Sequence, residues 1–368
     1  MNEPKVAFVG TGDVFLKYYL PEARLQGGVF AISAICDQAP GRAAEVASFL
    51  GVEAYTDYQN MLVTADVDIV VIVTPPDSHY KLALMAIEAG KHVYVEKPFC
   101  REIDEADHLI ELAKQKGVHL MAAPTLLLDP SVNTIRKLLD DGEIGKVAYA
   151  NVSSNAVGDA DPDYFDRFLR MTNAAGVKVL QDPQDKTDPS WYFQKGGGPL
   201  FDVGVYSITR ITGLLGPVKK VVALSGIVDD HRVILKGTGR EKEIDVTEDD
   251  LTMILLDLGD SKFVHINTGW IGGASKGTNP GIVGMLGTIC ESEDEIHLYK
   301  NETEQWESLP VTGERWKIPT GLTHLAKCIS ENKDPDITIE HARHVIEIMQ
   351  KVYVSARTGR AQDIKTVF

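Results

Sequence analysis

Cysteine is scarce: four residues in 368, with no CxxC pair and no zinc-type spacing. Cys36, Cys100, Cys290 and Cys328 are too scattered for a metal knuckle or a redox motif, and they read as reduced, mostly buried thiols. Long apolar runs are missing too. Runs such as Ile69 to Val73 and Leu82 to Ile87 are far short of the roughly 20 residues a membrane-spanning helix needs. Positive charge is in deficit, with 37 Lys and Arg against 53 Asp and Glu and a net charge of −16. Such a field repels phosphate backbones and anionic headgroups, so neither nucleic acid nor membrane is expected as a partner. Met1-Asn2-Glu3-Pro4-Lys5 leads directly into a strand without a basic region, apolar stretch and cleavage site, which predicts a cytoplasmic protein. Of the ten histidines only His341 and His344 share a helix face. No cysteine or further histidine flanks them, and no metal is expected. There is no repeat of solenoid period and no low-complexity tract. What remains is an ordinary globular composition, 44% hydrophobic and 24% charged, long enough for two domains.

Lys5-Val-Ala-Phe-Val-Gly10 is a short apolar run that ends in Gly10-Thr-Gly-Asp13; a helical stretch follows, then a second strand, Ala31 to Asp37. Strand, glycine turn, helix, strand and acid is the order a dinucleotide site requires. Gly10 permits the tight turn, and Gly12 lets the backbone approach a pyrophosphate seated on the helix N-terminus, where Asp13 and Val14 stand. Asp37 is placed for the adenosine ribose hydroxyls and favours NAD over NADP, whose 2′-phosphate it would repel. Arg42, one turn into the next helix, either tempers that preference or is a solvated helix residue. Phe15 replaces the third glycine of the fingerprint, which predicts looser helix–strand packing there. Val67 to Thr74 is nearly all β-branched, as expected of a parallel strand buried on both faces. It runs into Thr74-Pro75-Pro-Asp-Ser-His79, then a helix over 80–89 stopped by Gly90. Lys91 to Pro98 gives another strand ending in Glu96-Lys97, with Lys97 pointing into the crevice where α/β sheets bind ligands. A helix over 102–116 and a strand over 118–122 complete this part.

After Pro124 a helix over 131–140 leads into strands that alternate, predicting an antiparallel sheet with one covered face. The candidates are 146–153, 218–228, 251–258, 262–269, 282–290 and 295–300. A last helix over about 340–357 and a short strand follow. Residues 155–190 are rich in Asp and Pro without periodicity, and read as a lid or as surface ornament. In Gly196-Gly-Gly-Pro-Leu-Phe-Asp202-Val-Gly-Val-Tyr206, glycines precede a proline suited to a helix start. Asp202, Tyr206 and Arg210 then line one helix face. Trp191 and Trp270 are candidate sugar-stacking rings or packing residues.

These motifs together resemble the glucose–fructose oxidoreductase / inositol dehydrogenase / MocA (Gfo/Idh/MocA) family over essentially the whole chain. Gly10-Thr-Gly-Asp, Thr74 to His79, Gly90 to Pro98, Gly142-Glu-Ile-Gly145 and Gly196 to Tyr206 carry the resemblance. It implies an N-terminal Rossmann domain with a parallel sheet, over 1–124. An α/β domain with a large, mostly antiparallel sheet would span 125–368 and often mediates oligomerisation, so a homo-oligomer (dimer or tetramer) is expected. It implies NAD as cofactor, NADP being the alternative, bound by Gly10, Gly12, Asp13, Val14, Asp37, Arg42, Thr74, Pro75, His79, Glu96 and Lys97. His79 is either the family's histidine beside the cofactor or the residue that closes the first turn of its helix. The implied catalytic group is Lys97, Asp202 and Tyr206. Tyr206 would be the acid/base, favoured as phenolate by the Lys97 ammonium, and Asp202 would orient Lys97 or bind a substrate hydroxyl. Many members carry His at this last position. Thr209 stands where an aspartate often follows, and Ala123-Pro-Thr-Leu-Leu127 replaces an aromatic-asparagine-arginine segment, so the substrate is not transferable. The expected reaction moves hydride between nicotinamide and a secondary alcohol or ketone of a sugar, glycoside or cyclitol. The alternatives are a trans-dihydrodiol or carbonyl reductase, an NAD-dependent glycoside-cleaving enzyme, and a non-catalytic NAD-binding regulator.

Overall fold

The computed structural model describes residues 3–23, 28–155, 189–234, 241–271, 281–292 and 294–368. Almost all of the 155–190 segment, and the side chain of Trp191, lie outside the described residues. The chain divides into two units. Among the described residues the first comprises 3–125 and 317–343, and the second 126–155, 189–316 and 344–368. Residues 317–343 thus group with the N-terminal unit, whereas the sequence places them beyond the 124/125 boundary.

The first unit is built on six parallel strands: β1 Lys5–Val9, β2 Ala31–Cys36, β3 Glu53–Tyr55, β4 Ile69–Ile72, β5 His92–Val95 and β6 Leu120–Ala122. Their order is 3-2-1-4-5-6, with the strand order reversing beside β1. That reversal opens a crevice at the carboxyl ends of the strands, where doubly wound sheets bind dinucleotides. All four residues of β4 are buried, as its unbroken β-branched run requires. Helices Pro40–Leu50, His79–Glu88 and Ile103–Lys116 lie in the connections; the last starts in a capping box between Glu102 and Glu105. Helix Thr320–Glu331, which the sequence reading misses, also belongs to this unit.

The second unit carries a nine-stranded sheet among the described residues. Its strands are β7 Val147–Asn155, β8 Lys220–Gly226, β11 Leu251–Asp257, β12 Phe263–Gly269, β13 Gly281–Gly284, β14 Gly287–Glu291, β15 Glu295–Lys300, β16 Gln305–Pro310 and β17 Gln362–Asp363. Every pairing is antiparallel except β7 with β12. Two more strands, β9 His231–Ile234 and β10 Lys242–Asp245, form a separate ribbon. The single strand expected over 282–290 is a hairpin that turns at Met285 and Leu286, because Gly284 and Gly287 let the backbone pass within reach of Ile144 and Tyr299. The alternation of the central strands is real. Val221, Ala223, Ile254, Leu256, Val264 and Ile266 are buried on one face, and Val222, Leu224, Met253, Leu255 and Phe263 are exposed on the other. The final helix is Ile339–Thr358.

Candidate active site

In the first unit, β1 is followed by Gly10, whose φ of +91° is open to glycine at little cost. A Cβ there would also stand 2.5 Å from the Val73 carbonyl oxygen. At Gly12 a Cβ would meet nothing within 4 Å. Protein packing therefore does not demand glycine at 12, and the space before it suits the close approach of a pyrophosphate. The helix that begins here contributes the backbone N–H groups of Asp13 and Val14, which have no carbonyl partner in a first turn. Phe15, in place of a third glycine, opens a π-helical turn, Phe15–Tyr19. The expected looseness is absent: Phe15 and Tyr19 are fully buried and pack edge-on against Phe8, with ring centroids 5.0 and 5.6 Å away.

Asp37 is buried and already shared. One carboxylate oxygen accepts from Thr11 N (2.9 Å) and Thr11 Oγ1 (2.8 Å), the other from Ala39 N (2.8 Å) and Arg42 (3.0 Å). Burial pushes its pKa up, but these hydrogen bonds outweigh burial and hold it below the usual carboxylate range. A carboxylate has about four acceptor positions, so a further donor to Asp37 would displace one of these. Arg42 is thus tied to Asp37 and is not simply a solvated helix residue. Asp13 lies in the opposite state. Among the described residues one oxygen is buried without a partner, and the other is 3.9 Å from Lys17 Nζ. Burial pushes its pKa up to about 6 against the pull of Lys17 and Arg42.

Past β4, Thr74 bonds Ser78 side chain to side chain (2.6 Å) and Pro75 is exposed. His79 is fully buried, with Nε2 2.7 Å from the Thr74 carbonyl and Nδ1 2.7 Å from the Pro98 carbonyl. It ties the end of β4 to the turn after β5 and has no surface left for a cofactor. This favours a holding role over direct contact. Burial draws its pKa below the ordinary imidazole value, against the two carbonyls, which favour the protonated ring. Glu96 is buried at the end of β5, accepting from Tyr19 Oη (2.6 Å) and from Lys97 N (3.1 Å). It fixes the backbone before Lys97, whose side chain is half-buried and is followed by a cis peptide to Pro98.

In the second unit the glycine run is fastened before its helix. Gly196 N donates to Glu248 (2.8 Å), and Gly198, at φ +86°, passes close to Glu248 and Tyr353. Pro199, with φ −69° and ψ −25°, opens the helix, where a first-turn proline belongs. The helix opens with a π turn, Leu200–Gly204, and continues as α over Val205–Leu215. Single π turns inside helices are frequent at functional sites. Asp202 and Tyr206 are half-buried on this segment. Arg210 does not extend a ligand-facing stripe. It donates to Glu291 (2.5 Å) and to Ser131 Oγ (2.7 Å) in a buried network. Trp270 is core, packed with Phe193 and Tyr192. Trp316, which the sequence reading overlooks, stands edge-to-face with Tyr206 at 6.1 Å. Its only sequence signal is a tryptophan next to Arg315 in an otherwise patternless stretch.

Among the described residues, no three His, Cys, Asp or Glu side chains are grouped to hold a metal. His344 is fully engaged, accepting from Val218 N at Nε2 (3.0 Å) and facing Thr366 through Nδ1. The four cysteines are free and buried.

Comparison with known proteins agrees with this geometry. Residues 4–123 match the profile of an oxidoreductase family with an NAD-binding Rossmann fold, and residues 132–290 match the GFO/IDH/MocA C-terminal domain. The chain is 28% identical over 236 residues to levoglucosan dehydrogenase of Pseudarthrobacter phenanthrenivorans, covering 60% of this chain and 54% of that one. It is 26% identical over 327 residues to scyllo-inositol 2-dehydrogenase (NAD(+)) of Bacillus subtilis, covering 88% and 85%. The matches to several relatives, levoglucosan dehydrogenase among them, span little more than half of those proteins' length. In three dimensions the chain is similar to levoglucosan dehydrogenase in complex with NADH and L-sorbose, with a TM-score of 0.80, 20% identity and 99% of each chain covered. With both halves matched, the chain belongs to the Gfo/Idh/MocA family of oxidoreductases with an NAD-binding Rossmann fold.

Proposed function

We propose that this protein is an NAD(P)-dependent dehydrogenase acting on a secondary alcohol of a sugar, glycoside or cyclitol, with Lys97, Asp202 and Tyr206 as its catalytic residues. The observation that carries the reading is the joint presence of a fastened glycine turn with an acid at the end of β2 and a Lys97 fixed through Glu96. The relatives named for levoglucosan and scyllo-inositol support the substrate class. The nicotinamide, when bound, supplies the hydride acceptor or donor. In this reading Tyr206 moves the proton at the substrate oxygen, the Lys97 ammonium polarises that oxygen, and Asp202 accepts from a neighbouring substrate hydroxyl. An unperturbed phenol, with a pKa near ~10, is a weak base at neutral pH, and a nearby cation favours its ionised form.

General acid–base help contributes about 10²–10⁴-fold. Tyr206→Phe should therefore lower kcat by about two orders of magnitude or more and leave NADH affinity, read by fluorescence titration, within about twofold. Unchanged turnover in that variant removes Tyr206 from the mechanism.

No described helix is long and apolar enough to cross a membrane, and a cytoplasmic location fits the reading. A second copy of this chain is the occupant we infer for the exposed sheet face. There Tyr149 pairs with Phe263, Val222 with Leu255 and Leu224 with Met253, an apolar band across β7, β12, β11 and β8 interrupted by Asp257 opposite Phe263 and His265 opposite Leu255.

A further inference from the structure

We propose that Arg210 is a positioning residue for Tyr206, acting through a buried ionic circuit that fastens both the helix carrying the phenol and the loop its ring packs on. The inference rests on the function proposed above, in which Tyr206 moves the proton.

Arg210 lies one helical turn beyond Tyr206 on Val205–Leu215. Its Nη2 donates to Glu291 (2.5 Å) at the end of β14 and to Ser131 Oγ (2.7 Å) in the first turn of helix Pro130–Asp140. Ser131 in turn donates through Oγ (2.6 Å) and N (2.9 Å) to Asp129, the N-cap of that helix. A hydroxyl has one proton and two lone pairs, so Ser131 can serve both neighbours at once. Asp129 also accepts from Arg315 Nε (3.1 Å) and Trp316 N (2.9 Å), and Arg315 reaches the second oxygen of Glu291 (3.3 Å). The circuit thereby closes on Arg210. Asp129, Ser131 and Glu291 are buried. Burial pushes the Asp129 carboxyl up, and hydrogen bonds from Ser131, Trp316 and Arg315 outweigh that and hold it below the usual range.

Stability alone is a poor account of this arrangement. Buried ion pairs are often replaceable by apolar side chains at no loss, and Arg210 Nε is buried without a partner among the described residues, which costs free energy. What charge-assisted hydrogen bonds provide beyond stability is short, directional geometry. Four chain segments converge here, and two of them meet Tyr206. Its helix is held by Arg210, and its ring stands edge-to-face, at 6.1 Å, with Trp316, whose backbone is held by Asp129. The other end of the helix is the π turn Leu200–Gly204, packed through Gly204 on Thr268. Tyr206 lies between these two fastenings. A displacement of ~1 Å at a catalytic group can cost about 10²-fold in rate, so the clamp matters to turnover far more than to binding.

The test measures kcat and KM of the full chain with NAD on levoglucosan and scyllo-inositol, and NADH affinity by fluorescence titration. Arg210→Met keeps the aliphatic stem and removes the fork. It should lower kcat about tenfold or more, with KM and NADH affinity within about threefold of the parent. In a Tyr206→Phe background the same substitution should change the residual rate by less than about twofold, because a residue acting through the phenol has nothing left to position. Assays at micromolar enzyme read rates about a thousandfold below ordinary turnover, low enough for this comparison. If Arg210→Met does not fold, Arg210→Met with Glu291→Gln, which removes both charges of the pair, takes its place under the same criteria. A kcat within twofold of the parent overturns the inference, as does an equal fall in both backgrounds, a rise in KM with kcat intact, or failure of both variants to fold. If Tyr206→Phe has lost turnover in those cases, the proposed function stands without it. Unchanged turnover in Tyr206→Phe, or silence of the parent toward both compounds, overturns the functional reading and this inference with it.

Discussion

The carboxyl of Asp13 is mostly buried at the start of the helix that follows the glycine turn, with one oxygen lacking a partner among the described residues. Its folded-state pKa of about 6 lies above the ordinary 3.8, so the folded protein keeps a proton there that the unfolded chain releases. Stability should therefore fall as pH rises from about 4 to about 6 and stay reduced above that window. Asp13→Asn should raise the stability at pH 8 by about 1–3 kcal/mol and flatten the change across that window. Denaturant melts at pH 4, 6 and 8 check this, and an equal or lower stability of the variant at pH 8 contradicts it. At this scale the sequence was legible where one residue performs one local task. The places of Gly10 and Gly12 follow from the strand–turn–helix order, and that of Asp37 from the end of the next strand, which brings it to Thr11. Trp316, Asp129 and Glu291 were not legible, because their partners include residues 24 to 187 positions away. Arg210 was misread for the same reason: periodicity gives a face and not what lies against it.

Among the elements, the helix carrying Asp202 and Tyr206 depends on one close approach. A Cβ on Gly204 would stand 3.2 Å from Thr268 Cγ2 and Oγ1 on β12, and Thr268 Oγ1 donates to the carbonyls of Ser154 (3.1 Å) and Pro199 (3.3 Å). Gly204→Val should push the π turn off the sheet and destabilise by about 1–3 kcal/mol, as overpacking does. It should lower kcat at least tenfold with NADH affinity retained, because the glycine turn belongs to the other unit. A variant with parent kcat and stability would show that the close packing does not matter. Elements with strong periodicity were readable to within a few residues, as for Ile103–Lys116 and Leu251–Asp257. The π turns were not, since inserting one residue into a helical turn leaves no mark on an apolar pattern. β16, with no buried residue in its six, gave no alternation to find.

For the whole molecule, the two-part architecture was legible because parallel and antiparallel sheets impose different burial, solid runs in β4 and alternation in β11. The grouping of 317–343 with the first unit was not, since nothing local records which core a helix joins. The exposed apolar band sits on a chain with a net charge of −16, so covering it requires contact strong enough to overcome like-charge repulsion. Leu255, 55% exposed at the middle of the band, is the place to test this. Leu255→Lys should shift the mass measured by size exclusion with light scattering from oligomer to monomer without loss of NADH binding. A parent protein already monomeric at micromolar concentration would contradict the inferred assembly.

The central claim is that this chain oxidises or reduces a carbohydrate-like alcohol through a bound nicotinamide. It is met most directly by incubating the purified protein with NAD or NADP and a panel of sugars, glycosides, cyclitols and aromatic diols, while following reduced-nicotinamide absorbance. The account predicts turnover on a sugar, glycoside or cyclitol that is lost in both Lys97→Met and Tyr206→Phe. Tight binding of NAD with no turnover and no product by mass spectrometry across the panel would contradict it and leave a nucleotide-binding regulator.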